Sequence, residues 1–327
     1  MTNIRNLTSV ECDKIAYMIK IMQFVYLDPS EIYRALYTES RNQMTQHEIL
    51  ARIVESVNRY DGKTTYDIFH DLMFGKIDLK KIMNNKYDDM ITFKSYDGYV
   101  QLYTFVTNDD DCIIALRGSD SLTDACYDIR CRKVNILDHV DVNIGDNIWV
   151  HVGFARAISL LWRDMCKYID RYIEHYPNNN INIIGHSLGG AIATLLSYLL
   201  TIKYNHPVIV YIAGSPAVGN KTFVDEYMQL VHDNRITLYN IINPYDTIIA
   251  QPPELFNYRA LPYIILLERD NSNQLCIKCE TYGRNYKYTC WTLWNSVKGL
   301  IYSNNIEHYL INYYNSIMNV IRHAMLD

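Results

Sequence analysis

The sequence contains no run of 18 apolar residues, so it offers no segment for a membrane-spanning helix. It also lacks an excess of positive charge. The formal net charge is −5, and we expect no nucleic-acid partner. No unbroken apolar segment follows Met1, because Lys20 and Gln23 interrupt the apolar stretch at residues 15–27. No secretory signal peptide is therefore predicted, and we expect an intracellular, cytoplasmic protein.

Cysteine is sparse and scattered, with eight residues in a chain of 327. Free thiols in a reducing compartment explain this distribution better than a disulfide framework does. The pair Cys276-x-x-Cys279, followed by Cys290, is a weak zinc signal because no second pair accompanies it. We expect neither a metal nor a cofactor.

The residue pattern changes near residue 90. Residues 1–90 carry apolar side chains at helical spacing, which predicts an N-terminal helical region packed on the core. In residues 91–327, short apolar runs alternate with amphipathic segments. This alternation is typical of an α/β domain with a mostly parallel central sheet flanked by helices. An edge-like strand is expected at residues 100–106, and a terminal helix at residues 309–325.

An isoleucine-rich run at residues 180–184 leads into the segment Gly185-His186-Ser187-Leu188-Gly189. The run has the composition of a strand buried on both faces, and helix formers follow at residues 191–204. Strand, sharp turn and helix form the context in which G-x-S-x-G presents a nucleophilic serine. We therefore predict that Ser187 is a nucleophile. An ordinary glycine-rich turn is the alternative.

A serine hydroxyl needs a base to take its proton and a carboxylate to orient that base. After an elbow serine, the carboxylate comes next in the chain and the histidine last. Asp246 is the preferred carboxylate because it follows a buried-type strand that ends on the same sheet edge. Asp225 and Asp233 lie on or beside the intervening helix, where solvent is expected to reach them.

The base is expected among the histidines that follow Asp246. His308 is preferred because it begins a helix after a loop, where its side chain can project into a site. His323 lies deep in the last predicted helix and remains an alternative. His206 and His232 precede Asp246 and break the order. A capping or surface role is the alternative for His308.

Acyl transfer also needs hydrogen-bond donors for the oxyanion of the tetrahedral intermediate. The backbone N–H of Leu188, directly after the nucleophile, is one candidate. The other is the N–H of Ser119, which follows the buried-type strand at residues 112–116 and the pair Arg117-Gly118. A plain turn at the end of that strand is the alternative.

Five segments together resemble the class 3, or fungal-type, lipase family of α/β-hydrolases. They are residues 113–119 with Arg-Gly-Ser at their end, Val150-His151-Val152-Gly153-Phe154, Gly185-His186-Ser187-Leu188-Gly189-Gly190, residues 213–220 (AGSPAVGN), and residues 243–253 with their Pro-Pro pair. The resemblance implies an α/β-hydrolase fold for residues 91–327. It implies Ser187 as nucleophile, Asp246 as orienter and His308 as base, with Ser119 and Leu188 forming the oxyanion hole.

The chain departs from the family pattern in three places. Where the family has an aspartate or asparagine followed by tryptophan, this chain has Asp124-Ala125. Asp246 is followed by Thr-Ile, whereas the family has Pro-Val at these positions. Residues 121–128, which correspond to the mobile lid of the fungal enzymes, contain few apolar side chains. We therefore hypothesise a preference for soluble or partly dispersed esters, without strong interfacial activation.

The resemblance implies a serine carboxylic-ester hydrolase, a lipase of the triacylglycerol or acylglycerol type that works through an acyl-enzyme. Phospholipase A1 and monoacylglycerol lipase are alternatives within the same class. An inactive lipase-like interaction protein, with residues 1–90 as its partner surface, is the alternative from another class. The expected partner is a lipid or ester substrate at a membrane or lipid-droplet surface.

Overall fold

The computed structural model describes residues 9–24, 92–96, 100–106, 110–118, 132–243, 246, 248–269 and 275–281. The described part contains four helices. The first precedes all described strands, and each of the other three directly follows a strand. The helices are α1 (Ser9–Phe24), α2 (Val152–His175), α3 (Leu188–Tyr204) and α4 (Lys221–His232). The strands are β1 (Thr92–Tyr96), β2 (Val100–Val106), β3 (Cys112–Leu116), β4 (Lys133–Asn135), β5 (Trp149–His151), β6 (Ile181–His186), β7 (Val208–Ala213), β8 (Ile236–Ile242), β9 (Tyr263–Arg269) and β10 (Leu275–Thr281).

Eight of these strands form one sheet in the order β1-β2-β3-β6-β7-β8-β9-β10. Neighbours from β3 to β9 run parallel, whereas β1–β2, β2–β3 and β9–β10 are antiparallel. The predicted α/β class with a mostly parallel sheet is therefore confirmed. The apolar runs form strands here because both faces of the central strands are covered, and a buried parallel strand needs no polar alternation.

One face of the sheet carries the main apolar core. The inward side chains of α2, α3 and α4 meet alternate residues of β6 and β7, such as Ile183 and Val210. Tyr198 of α3 packs edge-on against Phe223 of α4, with ring centroids 5.4 Å apart. Full burial of each large apolar side chain contributes about 1.5–3 kcal/mol, so this layer provides much of the stability.

Helix α1 covers the opposite face. It contacts β3, β6 and β7, and the Tyr239 hydroxyl donates a hydrogen bond to Oε1 of Glu11 (3.3 Å). Tyr239 alternates along β8 with Leu238, which packs against the core on the other side. Residues 9–24 thus lie on the sheet, while a domain boundary at residue 90 remains a prediction. Among the described helices, none combines the length and apolar character that crossing a membrane requires.

The Tyr172 hydroxyl links α2 to the starting ends of β3 and β6. It accepts a hydrogen bond from the Cys112 N–H (2.9 Å) and lies 2.8 and 3.0 Å from the carbonyl oxygens of Asp110 and Asn180. The Cys112 thiol beside it is fully buried, and burial raises its pKa to about 12. This thiol therefore stays protonated at neutral pH.

Two local features differ from the sequence-based expectation. Strand β2 is not an edge strand, because β1 pairs with its outer side. Residues 133–135 and 149–151, for which the sequence predicts no strand, pair as the small β4–β5 sheet. Three-residue strands are too short to show a period. The predicted terminal helix at residues 309–325 lies outside the described residues.

Candidate active site

Ser187 occupies a sharp turn between β6 and α3, as the elbow pattern predicts. Its backbone has φ 57° and ψ −128°, a combination that residues other than glycine rarely adopt. The Ser187 N–H donates to the Ala213 carbonyl at the end of β7 (3.0 Å). Its own carbonyl accepts from the N–H groups of Gly190 (2.9 Å) and Ala191 (3.2 Å). The strained residue is thus held by the neighbouring strand and by the helix that it precedes.

Two glycines allow this turn to form. A Cβ at Gly185 would lie 2.3 Å from the Gly189 carbonyl oxygen, and a Cβ at Gly189 would lie 2.3 Å from the Leu116 carbonyl oxygen. Both distances are far below any normal contact. The first turn of α3 therefore packs directly on the backbone at the end of β3.

The segment that follows β3 is fixed by Gln101, a residue that sequence analysis did not single out. The Arg117 N–H donates to the Gln101 carbonyl (2.9 Å), and Nη1 of Arg117 donates to Oε1 of Gln101 (2.5 Å). Gln101 belongs to β2, which is next to β3 in the sheet. Only the strand pairing reveals this contact, because Gln101 belongs to no recognisable motif.

Asp246 lies four residues beyond the end of β8 and is fully buried. Its N–H donates to the Asn243 carbonyl (3.0 Å), and its Oδ1 accepts the Ile248 N–H (2.8 Å). A backbone N–H on one oxygen stabilises the charged carboxylate and fixes its rotamer. Asp246 thus has the burial and orientation that an orienting carboxylate needs.

Ser187 and Asp246 follow strands that are separated by β7 alone. With strands about 4.8 Å apart, roughly 10 Å separates the axes of β6 and β8. Both residues lie at the carboxyl edge of the parallel strands, where α/β sheets bind their ligands. The sequence predicted that these two residues lie at the same edge of the sheet, and the structure has them there.

The competing carboxylates lie elsewhere. Asp225 is exposed on α4 and forms an ion pair with Lys221, while Asp233 is exposed and accepts a hydrogen bond from Gln229 (2.9 Å). Neither is at the carboxyl edge of the sheet. Their solvent exposure agrees with the sequence-based expectation.

Leu188 is the first residue of α3, and a helix leaves its first N–H groups without intrahelical acceptors. Its N–H is therefore available beside Ser187. Several parts of the predicted site lie outside the described residues. They are Ser119, the favoured base His308, the alternative His323 and the lid-equivalent residues 121–128. Of the predicted site, the structure therefore describes Ser187, Leu188 and Asp246.

A small cleft is lined by residues of α3, α4, β7 and β8 and of the loops that follow β7 and β8. Thr194, Ser215 and Asn240 contribute its polar lining, and Arg259 lies at its border. Asn240 is 5% exposed, and its Oδ1 has no hydrogen-bond partner among the described residues. Ser215 lies between this cleft and the elbow, because its Cβ is 3.0 Å from the position that a Cβ on Gly190 would take.

No cluster of three or more metal-binding side chains occurs in the part of the chain that the structure describes. The weak zinc pattern at Cys276 and Cys279 falls within β10, and Cys290 lies outside the described residues. The described site therefore consists of a serine, a buried carboxylate and a helix N-terminus. These are the parts of an acyl-transfer site rather than of a metal centre.

A mostly parallel sheet with a strained serine between a central strand and a helix defines an α/β-hydrolase. Solved lipase structures share this fold. The structure of a mutant form of the Penicillium cyclopium enzyme MDLA matches with a TM-score of 0.59 at 17% identity, covering 84% of this chain and 88% of that one. The Rhizomucor miehei triacylglyceride lipase matches with a TM-score of 0.58 at 18% identity, covering 85% and 88% of the two chains.

The sequence also indicates which family of α/β-hydrolases the chain resembles. The model of the family "Lipase (class 3)" matches residues 113–256, which include β3, the elbow and Asp246. Over these residues, which are less than half of the chain, the sequence is similar to the class 3 lipase family. The resemblance inferred from the five segments is thereby confirmed.

Curated relatives match part of the chain. The secreted mono- and diacylglycerol lipase 2 of Gibberella zeae is 28% identical over 142 residues, which are 37% of this chain and 34% of that protein. The secreted mono- and diacylglycerol lipase A of Penicillium cyclopium is 30% identical over 108 residues, 33% of each chain. Toxin TseL of Vibrio cholerae is 37% identical over 101 residues, 31% of this chain and 15% of that protein. The chain thus spans about a third or less of the length of these relatives.

Proposed function

We propose that this protein is a serine carboxylic-ester hydrolase that cleaves acylglycerols through an acyl-enzyme. The observation that carries the proposal is the strained Ser187 at the elbow, on the same sheet edge as the buried, N–H-bonded Asp246. A backbone strain of about 1–3 kcal/mol is kept at functional sites because it presents a side chain in a fixed direction. A serine in an ordinary turn does not require such backbone strain.

The proposed reaction uses the predicted triad. Ser187 Oγ attacks the ester carbonyl carbon while His308 takes the hydroxyl proton, and Asp246 orients the imidazole and offsets its positive charge. The tetrahedral intermediate collapses, the C–O bond to the alcohol breaks, and His308 gives the proton to the leaving alkoxide. Water then attacks the acyl-enzyme with His308 as base, and the fatty acid leaves as Ser187 regains its proton.

The oxyanion is expected to lie between the N–H groups of Leu188 and Ser119. The packing of Gly189 on Leu116 supports this, because it brings the start of α3 against the strand end that leads to Ser119. One such donor contributes about 10²–10³ in kcat.

Mono- and diacylglycerols are the favoured substrates. The Gibberella and Penicillium relatives are described as mono- and diacylglycerol lipases, and their matches support the same substrate class here. A phospholipase A1 activity remains an alternative. A panel of mono-, di- and triacylglycerols and a diacyl phospholipid, all with one acyl chain type, separates these substrates by kcat/KM.

The direct test of the mechanism compares two serines of the same helical segment. Ser187→Ala should remove hydrolysis of a chromogenic short-chain ester and labelling by a fluorophosphonate probe. Ser197→Ala, a change in the buried part of α3, should retain both, because Ser197 only bonds the Thr194 carbonyl and the Tyr227 hydroxyl. Retained turnover in the Ser187 variant would show that the serine is not the nucleophile.

A second comparison tests the carboxylate. Asp246→Asn should lower kcat by about 10⁴, the effect of losing the orienting charge in a serine triad. Asp225→Asn serves as the matched control, since Asp225 is exposed and paired with Lys221. If labelling and turnover are absent in the unaltered chain, the protein is instead the inactive lipase-like scaffold.

A further inference from the structure

Two large apolar side chains project from the 3₁₀ turn at Glu254–Phe256. Leu255 is 85% exposed and Phe256 is 48% exposed. In the described residues, only Val10 and Trp149 are comparably exposed among large apolar side chains. Most of the Leu255 side chain and about half of the Phe256 side chain therefore remain outside the core, and a contiguous exposed apolar patch marks an interaction surface.

The turn is firmly attached to the edge of the sheet that carries Ser187 and Asp246. Before the turn, the Ala217 N–H donates to the Gln251 carbonyl (2.7 Å), and after it the Arg259 N–H donates to the Gly219 carbonyl (2.9 Å). Residues 214–220 follow β7 and reach the elbow through Ser215. The apolar tip is therefore fixed to the loop that follows β7 at the carboxyl edge of the sheet.

Two cationic side chains contact this turn. The Lys133 ammonium donates a hydrogen bond to the Phe256 carbonyl and lies 4.6 Å from the centre of the Tyr258 ring. Arg132 directly precedes Lys133 in the chain and is exposed to solvent. Arg259 forms an ion pair with Glu254, the one acid of the turn, across 2.7 Å.

The local charge is opposite to that of the whole chain. Among the described residues, Lys133 and Arg259 contact the turn and Arg132 is next to Lys133 in the chain, so three cations stand against one acid of the turn, Glu254. The chain as a whole carries a net charge of −5. An apolar tip with a cationic border complements an anionic lipid surface. The apolar side chains can contact the acyl chains, and the cations can bind the headgroup phosphates.

We propose that the Glu254–Phe256 turn, with Arg132 and Lys133 beside it, is the surface by which the protein adsorbs to anionic lipid. The inference rests on the proposed function, because a lipid substrate gives the protein a reason to meet such a surface. Leu255 and Phe256 enter the acyl-chain boundary, and Arg132 and Lys133 bind headgroup phosphates. The contact needs no lid movement, because the turn is exposed and fixed by its backbone hydrogen bonds.

The test uses the full chain with Ser187→Ala, so that vesicles are not hydrolysed during the measurement. Binding is measured by flotation with vesicles of mixed phosphatidylcholine and phosphatidylglycerol and with vesicles of phosphatidylcholine alone. Leu255→Ser should weaken binding to the anionic vesicles about tenfold, and Arg132→Gln about fivefold. Binding to phosphatidylcholine alone should be much weaker, and added salt should reduce the anionic preference.

Matched controls keep the test specific. Val10→Ser removes an apolar side chain that is 76% exposed on α1, and Lys203→Gln removes an exposed cation at the end of α3. Both should bind as the Ser187→Ala parent does. Equal binding by the Leu255 and Val10 variants would overturn the proposal, as would equal affinity for the two vesicle types. Self-association that is lost with Leu255→Ser would instead make the turn a contact between copies of the chain.

Failure of this proposal is distinguishable from failure of the proposed function. Hydrolysis of a soluble short-chain ester by the unaltered chain tests the function without any lipid surface. Vesicle binding in the Ser187→Ala background tests the surface without any turnover. A chain that hydrolyses the ester but binds vesicles independently of Leu255 has the function and lacks the lipid surface.

Discussion

Replacing Gly189 by alanine should damage the site through the backbone alone. The added Cβ would lie 2.3 Å from the Leu116 carbonyl oxygen and 2.8 Å from the Arg117 carbonyl carbon. Carbon and carbonyl oxygen approach to about 3.3 Å at closest, so the two chain segments must separate by about 1 Å. Neither contact is to a flexible side chain, and the backbone itself has to move.

The separation changes both stability and turnover. Overpacking of this kind costs about 1–3 kcal/mol of unfolding free energy. It also moves the start of α3, with Ser187 and the Leu188 N–H, away from the strand end that leads to Ser119. A misplacement of about 1 Å at a catalytic site costs about a hundredfold in rate, which corresponds to about 2.7 kcal/mol of activation free energy.

The assay is kcat for a soluble chromogenic ester, together with urea unfolding of the same preparation. Gly145→Ala is the control, because its Cβ would meet only the carboxylate end of Glu226 at 2.7 Å. That side chain can rotate, so the control should keep near-normal kcat. A Gly189→Ala protein that is folded and turns over within about threefold of the parent would refute the close-packing argument.

Three further predictions concern the fold around the site. Tyr172→Phe should lower the free energy of unfolding by about 1 kcal/mol, measured in urea, because the hydroxyl bonds at 2.8–3.0 Å are lost. Asn240→Leu should raise that free energy by about 1 kcal/mol or more, since Oδ1 is buried without a partner among the described residues; a lower value would show that water satisfies the amide. Burial raises the pKa of the Cys112 thiol from 9.0 to about 12, so above pH 9 the unfolded chain binds fewer protons than the folded one. Stability should therefore fall by about 1.4 kcal/mol per pH unit from this group between those two values, and Cys112→Ala should show a shallower fall in urea titrations at rising pH.

Strand and helix prediction succeeded where local composition and global burial agree. The strand expected before Asp246 and the elements expected at the elbow match β8, β6 and α3, and the isoleucine-rich β6 is buried along its whole length. Strand β2 was placed at an edge because its residues alternate. Its partner β1 has a polar sequence that gives no apolar signal, and only the pairing shows it.

For the candidate site, too, local patterns were predictable from the sequence and contacts between distant residues were not. A serine between flanking glycines, and an aspartate after a buried strand, are local patterns that identify Ser187 and Asp246 from sequence. The placement of His308 and Ser119 remains a prediction, since both lie outside the described residues. Gln101 could not be found from sequence because its role depends on which strand lies next to β3.

The sequence by itself determined the strand-turn-helix at Ser187, the alternation that builds a parallel sheet, and the position of Asp246 after a buried-type strand. These are properties of neighbours in the chain, where spacing and composition carry the information. The tertiary structure alone decided that Gly189 rests on Leu116 and that Asp246 is fully buried. It alone placed Lys133 against the exposed Leu255–Phe256 pair, because contacts across 123 residues depend on how the layers pack.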